Sequence, residues 1–244
     1  MDLVKVLCSG SKGNSTIIKY NGHTYIIDLG ISYKMFSELA KDFVDFEKLS
    51  LFITHTHTDH VKGVKRFLKK HPCNIYGSKN IYELENEVVE ISNVTQVNDI
   101  RVETLNLSHD CSNTVGYIFY VGEYKIVIVS DTGYLSNKNL ESMSGADVIL
   151  LESNHDVDLL MQGNYNWNLK QRIVGDKGHL SNLQFKTYVN AIKSENTKHL
   201  VALHLSADNN KFDIVSDILK GTEIDNCDIA RQDIGSKVIK LNWK

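Results

Sequence analysis

Residues Thr54 to His60 read Thr-His-Thr-His-Thr-Asp-His and follow directly on the apolar run Leu51-Phe52-Ile53. This H-x-H-x-D-H pattern constrains the chain more than any other feature. Three imidazoles and a carboxylate at the end of a buried strand each need a partner, and leaving one unpaired is costly. A metal site supplies partners to all of them. The alternation places His55 and His57 on one side of an extended chain. The turn at Asp59-His60 then aims a second pair of donors at a neighbouring point, which is a geometry for two adjacent metals. Imidazole nitrogen with carboxylate oxygen suits zinc, manganese or iron.

The bulk of the chain sets the frame for that site. A length of 244 residues predicts a single domain over 1–244, and 42% hydrophobic residues supply a sizeable core. No apolar run reaches the length of a membrane span, and no basic-then-apolar leader opens the chain, so a soluble cytoplasmic protein with no membrane partner is expected. Cys8, Cys73, Cys111 and Cys227 are scattered and read as reduced core thiols. The net charge is -3, with no basic stripe of the kind that grips duplex DNA. The cationic run from Lys62 to Lys70 reads as the solvated face of a helix.

Alternation and turn chemistry predict strands over 3–7, 16–20 and 24–28, the last two joined by a hairpin at Asn21-Gly22. Further strands are expected at 51–53, 101–107, 115–121, 124–129, 148–151, 199–203 and 237–241. Helices are expected over 32–41, 61–70, 168–174, 181–193 and 209–219, and helical and extended pieces alternate between Lys70 and Asp99. Strands followed by helices, twice over, fit two mixed sheets face to face with helices outside. Three later apolar runs end on metal-capable side chains: His109 after 101–107, Asp131 after 124–129 and His204 after 200–203. Singly each is an ordinary strand-end residue; in this order, behind H-x-H-x-D-H, they read as further ligands.

The motif and the order of these residues resemble the metallo-β-lactamase superfamily over almost the whole chain. That resemblance implies an α/β fold, a four-layer αβ/βα sandwich of two mixed sheets. It implies that His55, His57 and His109 hold one metal, that Asp59, His60 and His204 hold a second, and that Asp131 bridges them. The expected cofactor is two zinc ions per chain, with manganese as the alternative. A hydroxide between the metals is the implied nucleophile, with Asp59 orienting it. Asp28, at the end of its strand, is a candidate to orient a ligand histidine.

Two further segments narrow the function. Gly178-His179-Leu180-Ser181-Asn182, followed by 198–206, resembles the C-terminal part of RNase Z-type phosphodiesterases. On that resemblance His179 donates a proton to the leaving oxygen; the alternative is that it merely precedes the helix cap Ser181. The run 151–156, continuing through 168–173, is similar to the WalJ (YycJ)-like branch, as are Ser9–Ser15 and 205–210. That branch includes bacterial 5′-3′ DNA exonucleases, and the segments also resemble phage-borne anti-Pycsar proteins that hydrolyse 3′,5′-cyclic nucleotides such as cyclic CMP and UMP. His155 and Asn154 either face the scissile phosphate or cap the next helix. The acidic balance and compact length favour a small cyclic nucleotide, hydrolysed to its 5′-monophosphate to blunt an antiviral signal. The resemblance then implies a homodimer, acting in the host cytoplasm if the chain is phage-encoded. A DNA exonuclease is the alternative, and a non-catalytic metal-binding homologue a third. Tyr117, Tyr134, Tyr165 and Trp167 are candidates to stack on a base, although such aromatics are more often core.

Overall fold

A computed structural model describes residues 1–78, 88–92 and 94–243. Its first half runs β1 (Leu3–Cys8), β2 (Ser15–Tyr20), β3 (His23–Ile27), α1 (Tyr33–Ala40), β4 (Leu49–Ile53), α2 (Thr58–Val61), α3 (Val64–Leu68), β5 (Asn74–Gly77) and β6 (Val88–Glu90). The second runs β7 (Val94–Val97), β8 (Ile100–Asn106), β9 (Val115–Val121), β10 (Tyr124–Val129), α4 (Asn137–Met143), β11 (Val148–Glu152), α5 (Val157–Gln162), α6 (Trp167–Val174), α7 (Asn182–Ile192), β12 (His199–Leu203), α8 (Phe212–Lys220), β13 (Asn226–Ile229) and β14 (Ile239–Lys240).

These strands form two seven-stranded sheets, β14-β1-β2-β3-β4-β5-β6 and β13-β12-β11-β10-β9-β8-β7. In the first sheet β1, β2 and β3 pair antiparallel, whereas β3, β4, β5 and β6 pair parallel. The second repeats that order, antiparallel over β8, β9 and β10 and parallel over β10, β11, β12 and β13. Parallel pairing brings the C-terminal ends of β3 and β4, and of β10, β11 and β12, to one edge of each sheet. The residues that follow those ends form the site.

Burial explains the layering. Val4, Ile18, Tyr25, Phe52, Phe119, Ile126, Leu150 and Val201 belong to one cluster between the sheets. A second cluster joins Val127, Ile149 and Leu200 to Met143, Phe185, Val189 and Val215 on α4, α7 and α8. A third joins Ile17, Ile26 and Leu51 to Phe36 of α1 and Phe67 of α3. Sheets covered on both faces need near-continuous apolar strands, and β4 and β11 are buried at every position. The expected sandwich of two mixed sheets with helices outside is what the chain forms.

Local chemistry sets the boundaries. Asn21 and Gly22 both have positive φ, 49° and 75°, the handedness of a two-residue hairpin turn. Ser32, Ser136, Asp156 and Asn166 cap α1, α4, α5 and α6, and Ser181 with Gln184 forms a full capping box on α7. The helix expected over 61–70 is instead two short pieces, α2 and α3, broken at Lys62-Gly63. There the Gly63 N–H turns to the Leu29 carbonyl at 2.8 Å, and a Cβ would lie 2.0 Å from Leu29 Cδ2. The helix expected from Asn209 begins at Phe212, and the strand expected over 237–241 pairs only at Ile239–Lys240. Of the alternation expected between Lys70 and Asp99, the stretch 79–87 and residue 93 lie outside the described residues. Only Cys8 of the four cysteines is buried; the other three are half-buried and all are free thiols.

Candidate metal centre

The H-x-H-x-D-H segment leaves β4 and divides: His55 and His57 remain extended, while Asp59 and His60 lie in α2. The loop after β3 packs against that turn. Leu29 N–H donates to the His60 carbonyl at 2.8 Å, and Asn14 N–H to the Asp59 carbonyl at 2.8 Å. Gly30 sits so close that a Cβ there would meet the Asp59 carbonyl oxygen at 1.6 Å. His109 follows β8, Asp131 follows β10 and His204 follows β12. Asp28, Asp131 and His204 all adopt left-handed backbone, with φ of 58°, 58° and 54°. Asp and His tolerate that region better than most residues, and strain of this kind gathers where side chains must be aimed.

Every metal-capable side chain expected from the sequence arrives at one place. Ligand atoms lie within 4.8 Å of one another in four overlapping groups: His55, His57 and His109; His55, His60 and Asp131; Asp59, His60 and His204; and Asp131, Glu152, His179 and His204. Asp131 belongs to two groups, with Oδ2 3.2 Å from His60 Nε2 and Oδ1 3.6 Å from His204 Nε2. Asp59 Oδ2 stands 3.7 Å from both His60 Nε2 and His204 Nε2. Among the described residues, the buried nitrogens His55 Nε2 and His204 Nε2 have no hydrogen-bond partner. Converging, unpaired imidazole nitrogens beside carboxylates are a donor set that fits divalent metal ions.

A shell of hydrogen bonds holds these donors. Asp28 accepts from Thr54 N–H at 2.9 Å and Thr54 Oγ1 at 2.8 Å, and from His60 Nδ1 at 2.7 Å. His60 is fully buried; burial pulls its basicity down, but Asp28 and Asp131 outweigh this and hold it at about 10. His55 goes the other way, held well below its ordinary value by burial with His60 beside it.

Glu152, at the buried end of β11, is one of two site residues that the sequence does not single out. Its Oε1 accepts from His179 Nδ1 at 2.7 Å and lies 3.2 Å from His204 Nδ1; its Oε2 accepts from the Thr132 and Leu180 N–H groups, each at 3.2 Å. Burial raises the carboxyl, but the His179 imidazole overrides it and brings it to about 2. Reciprocally, burial lowers His179 while Glu152 raises it, for a net rise. An acid closing an otherwise apolar strand, Val-Ile-Leu-Leu-Glu, was the signal. Asp110 was missed too: it accepts from Arg172 Nε at 2.6 Å and stands 3.3 Å from His109 Nε2.

A cavity of about 240 Å³ opens beside the cluster, with His109, His179 and His204 in its wall together with Asn154, Tyr165 and Arg172. Asn154 is anchored through its Nδ2 to the His204 carbonyl at 2.9 Å. His155 is buried outside that wall, bridged to Ser181, and burial pulls it down to about 4. Among the base-stacking candidates, Tyr117 is buried in the inter-sheet core with its hydroxyl donating to the Ile53 carbonyl, so it cannot meet a base. Tyr134 and Trp167 are exposed and do not line the cavity, whereas Tyr165 does.

Fold and donor set together define a class. The chain belongs to the β-lactamase superfamily, whose domain model matches residues 44–205. It has the metallo-β-lactamase fold: the metallo-β-lactamase fold protein YhfI from Bacillus subtilis superposes with a TM-score of 0.75 at 15% identity, over 97% of this chain and 98% of that one. More particularly, it is 32% identical over 218 residues to the exodeoxyribonuclease YycJ of Bacillus anthracis, covering 84% of this chain and 83% of that protein. It is equally 32% identical over 222 residues to the exodeoxyribonuclease WalJ of Streptococcus pneumoniae, covering 84% and 82%. The chain is a metal-dependent hydrolase of this fold. Among the described residues, no helix is long and apolar enough to cross a membrane.

Proposed function

We propose that the chain is a phosphodiesterase that hydrolyses DNA from an end, in the manner of an exodeoxyribonuclease. The observation that carries this reading is the likeness to YycJ, which is 32% identical and spans 84% of this chain and 83% of that protein. The sequence resemblance favours a cyclic nucleotide; the likeness to two exodeoxyribonucleases supports DNA.

In this reading His55, His57 and His109 would hold one metal and Asp59, His60 and His204 a second, with Asp131 as a further donor. Zinc is the expected ion and manganese the alternative. When bound, such a pair lowers the pKa of a shared water and neutralises charge on the attacked phosphate. The protein does the rest. Asp28 fixes His60 through Nδ1, so that Nε2 faces Asp59 and Asp131. Glu152 takes up Nδ1 of His179 and favours its charged form, which leaves Nε2 to give a proton to the departing oxygen. Arg172, in the cavity wall, meets the phosphate oxygens with the N–H groups that Asp110 leaves free.

A second reading, hydrolysis of a 3′,5′-cyclic nucleotide to its 5′-monophosphate by a homodimer, is favoured by the small volume of the cavity, about 240 Å³, and by the net charge of -3. One paired assay separates the two. Zinc- or manganese-loaded protein is given end-labelled DNA in one vessel and a panel of cyclic mononucleotides in the other. Degraded DNA with intact cyclic nucleotides is the expected outcome; the opposite pattern overturns the DNA reading and establishes the second.

A further inference from the structure

We propose that the cavity at the cluster continues into a second one, and that together they form a track for single-stranded DNA. The inference rests on the DNA reading above. The second cavity, about 440 Å³, shares Leu205, Ser206 and Ala207 with the first. Those three residues directly follow His204, so the wall between the cavities is the continuation of a candidate ligand loop. Beyond that wall lie Phe212, Lys211 and Arg231.

The chemistry of this second wall is that of a polynucleotide grip. Phe212 opens α8 and is 45% exposed, an unusual position for a large apolar ring. The Arg231 guanidinium lies 4.9 Å over its ring centroid, so ring and cation form one platform. An exposed ring offers a stacking face to any base, and the cations beside it follow the backbone phosphates. The first cavity repeats the plan, with Tyr165 in its wall and Arg172 and Lys177 beside it. Tyr165 is fixed by its hydroxyl, which donates to Asp208 at 2.7 Å.

The two walls also carry acids: Asp110 pairs with Arg172, Asp208 accepts from Tyr165 and Asp213 lies in the first turn of α8, so the phosphate contacts beyond the scissile one fall to Lys177, Lys211 and Arg231. Cavities of this size admit one strand at a time, which reconciles a DNA substrate with a chain that has no broad basic face. The strand lies with its scissile phosphate at the metal cluster and an adjoining nucleotide on the Phe212–Arg231 platform.

The test compares three substrates on the metal-loaded full chain: bis(4-nitrophenyl) phosphate, which occupies only the first cavity, a thymidine dinucleotide and a twelve-residue oligothymidylate. Wild-type protein is expected to show a lower KM for the oligonucleotide than for the dinucleotide. Phe212→Ala is expected to raise the oligonucleotide KM roughly tenfold, as loss of one stacked base implies. Arg231→Gln is expected to raise it as well and to reduce the slope of log KM against log salt by about 0.7, one released counterion on a single strand. Both variants should hydrolyse bis(4-nitrophenyl) phosphate at the wild-type rate, which reports that they are folded. Equal KM values for the short and long substrates, or variants that leave the oligonucleotide KM unchanged, overturn the track while leaving the DNA reading intact. Hydrolysis of the generic diester without any hydrolysis of the oligonucleotide overturns both.

Discussion

At the scale of single residues, the site works through pairs in which one side chain sets the charge of another. Glu152 and His179 are the clearest case. His179 is expected to act only while protonated, and the Glu152 carboxylate raises its pKa. Activity should therefore be present below the His179 pKa and fall as pH rises through it. Glu152→Gln keeps an acceptor for Nδ1 but removes the charge, so the pKa drops and the alkaline limb of the kcat profile moves to lower pH. His179→Ala should leave metal content intact and lower kcat by roughly 100- to 10,000-fold, the usual worth of a general acid. Metal analysis and kcat–pH profiles on both variants check this, and an alkaline limb that stays in place in Glu152→Gln would exclude the pairing from the chemistry. The sequence shows His179 because Gly178-His179-Leu180-Ser181 resembles a loop of RNase Z-type phosphodiesterases. Glu152 looked like the end of a strand, because only folding reveals that its carboxylate reaches back to the loop before α7.

At the scale of elements, continuous apolar runs and helix caps are legible locally. Continuous apolar runs marked β4, β10 and β11, and Ser181 marked the start of α7. The misplaced boundaries share one cause, which is that distant backbone decides them. Gly63 ends α2 because Leu29 claims its N–H, and α5, six residues long, is too short to show a helical period. Edge strand β13 pairs on one side only, and its Asn-Cys-Asp-Ile has no apolar run to betray it. The contact between the β3 loop and α2 yields a prediction at this scale. Gly30→Ala places a Cβ 1.6 Å from the Asp59 carbonyl, and that neighbour is backbone and cannot swing away. The loops must separate, at a cost of about 1–3 kcal/mol or more, as for other overpacked sites. Thermal unfolding should show a lower Tm and metal titration a weaker affinity. Gly221→Ala, whose nearest atom is 3.4 Å away, should lie within about 0.5 kcal/mol of wild type. A Gly30→Ala protein with unchanged Tm would show that the two loops are not clamped.

At the scale of the molecule, the two sheets repeat one plan. Each has three antiparallel pairings followed by three parallel ones, and an Asp-x-Gly follows β3 and β10, as Asp28-Leu29-Gly30 and Asp131-Thr132-Gly133. The two aspartates share a φ of 58° but have parted in use: Asp28 braces His60 from behind, while Asp131 stands among the donors. Between them His60 is held at about 10 in the absence of metal, far above its ordinary 6.5. The sign of the consequence follows. A group whose folded pKa is raised contributes stability that is complete below the unfolded value and lost as pH climbs toward the folded one. Metal-free protein should therefore lose stability between about pH 6.5 and 10, whereas metal-loaded protein, in which His60 must be a neutral donor, should lack this contribution. For the same reason metal binding at pH 7 must expel the His60 proton. Calorimetric titration of the metal-free chain with zinc, in buffers of different ionisation enthalpy, should show at least one proton released per chain. Thermal scans across pH should show the decline in the metal-free form alone. No proton release at pH 7 would mean that His60 is already neutral, and that Asp28 and Asp131 are balanced by some other charge before the metal arrives.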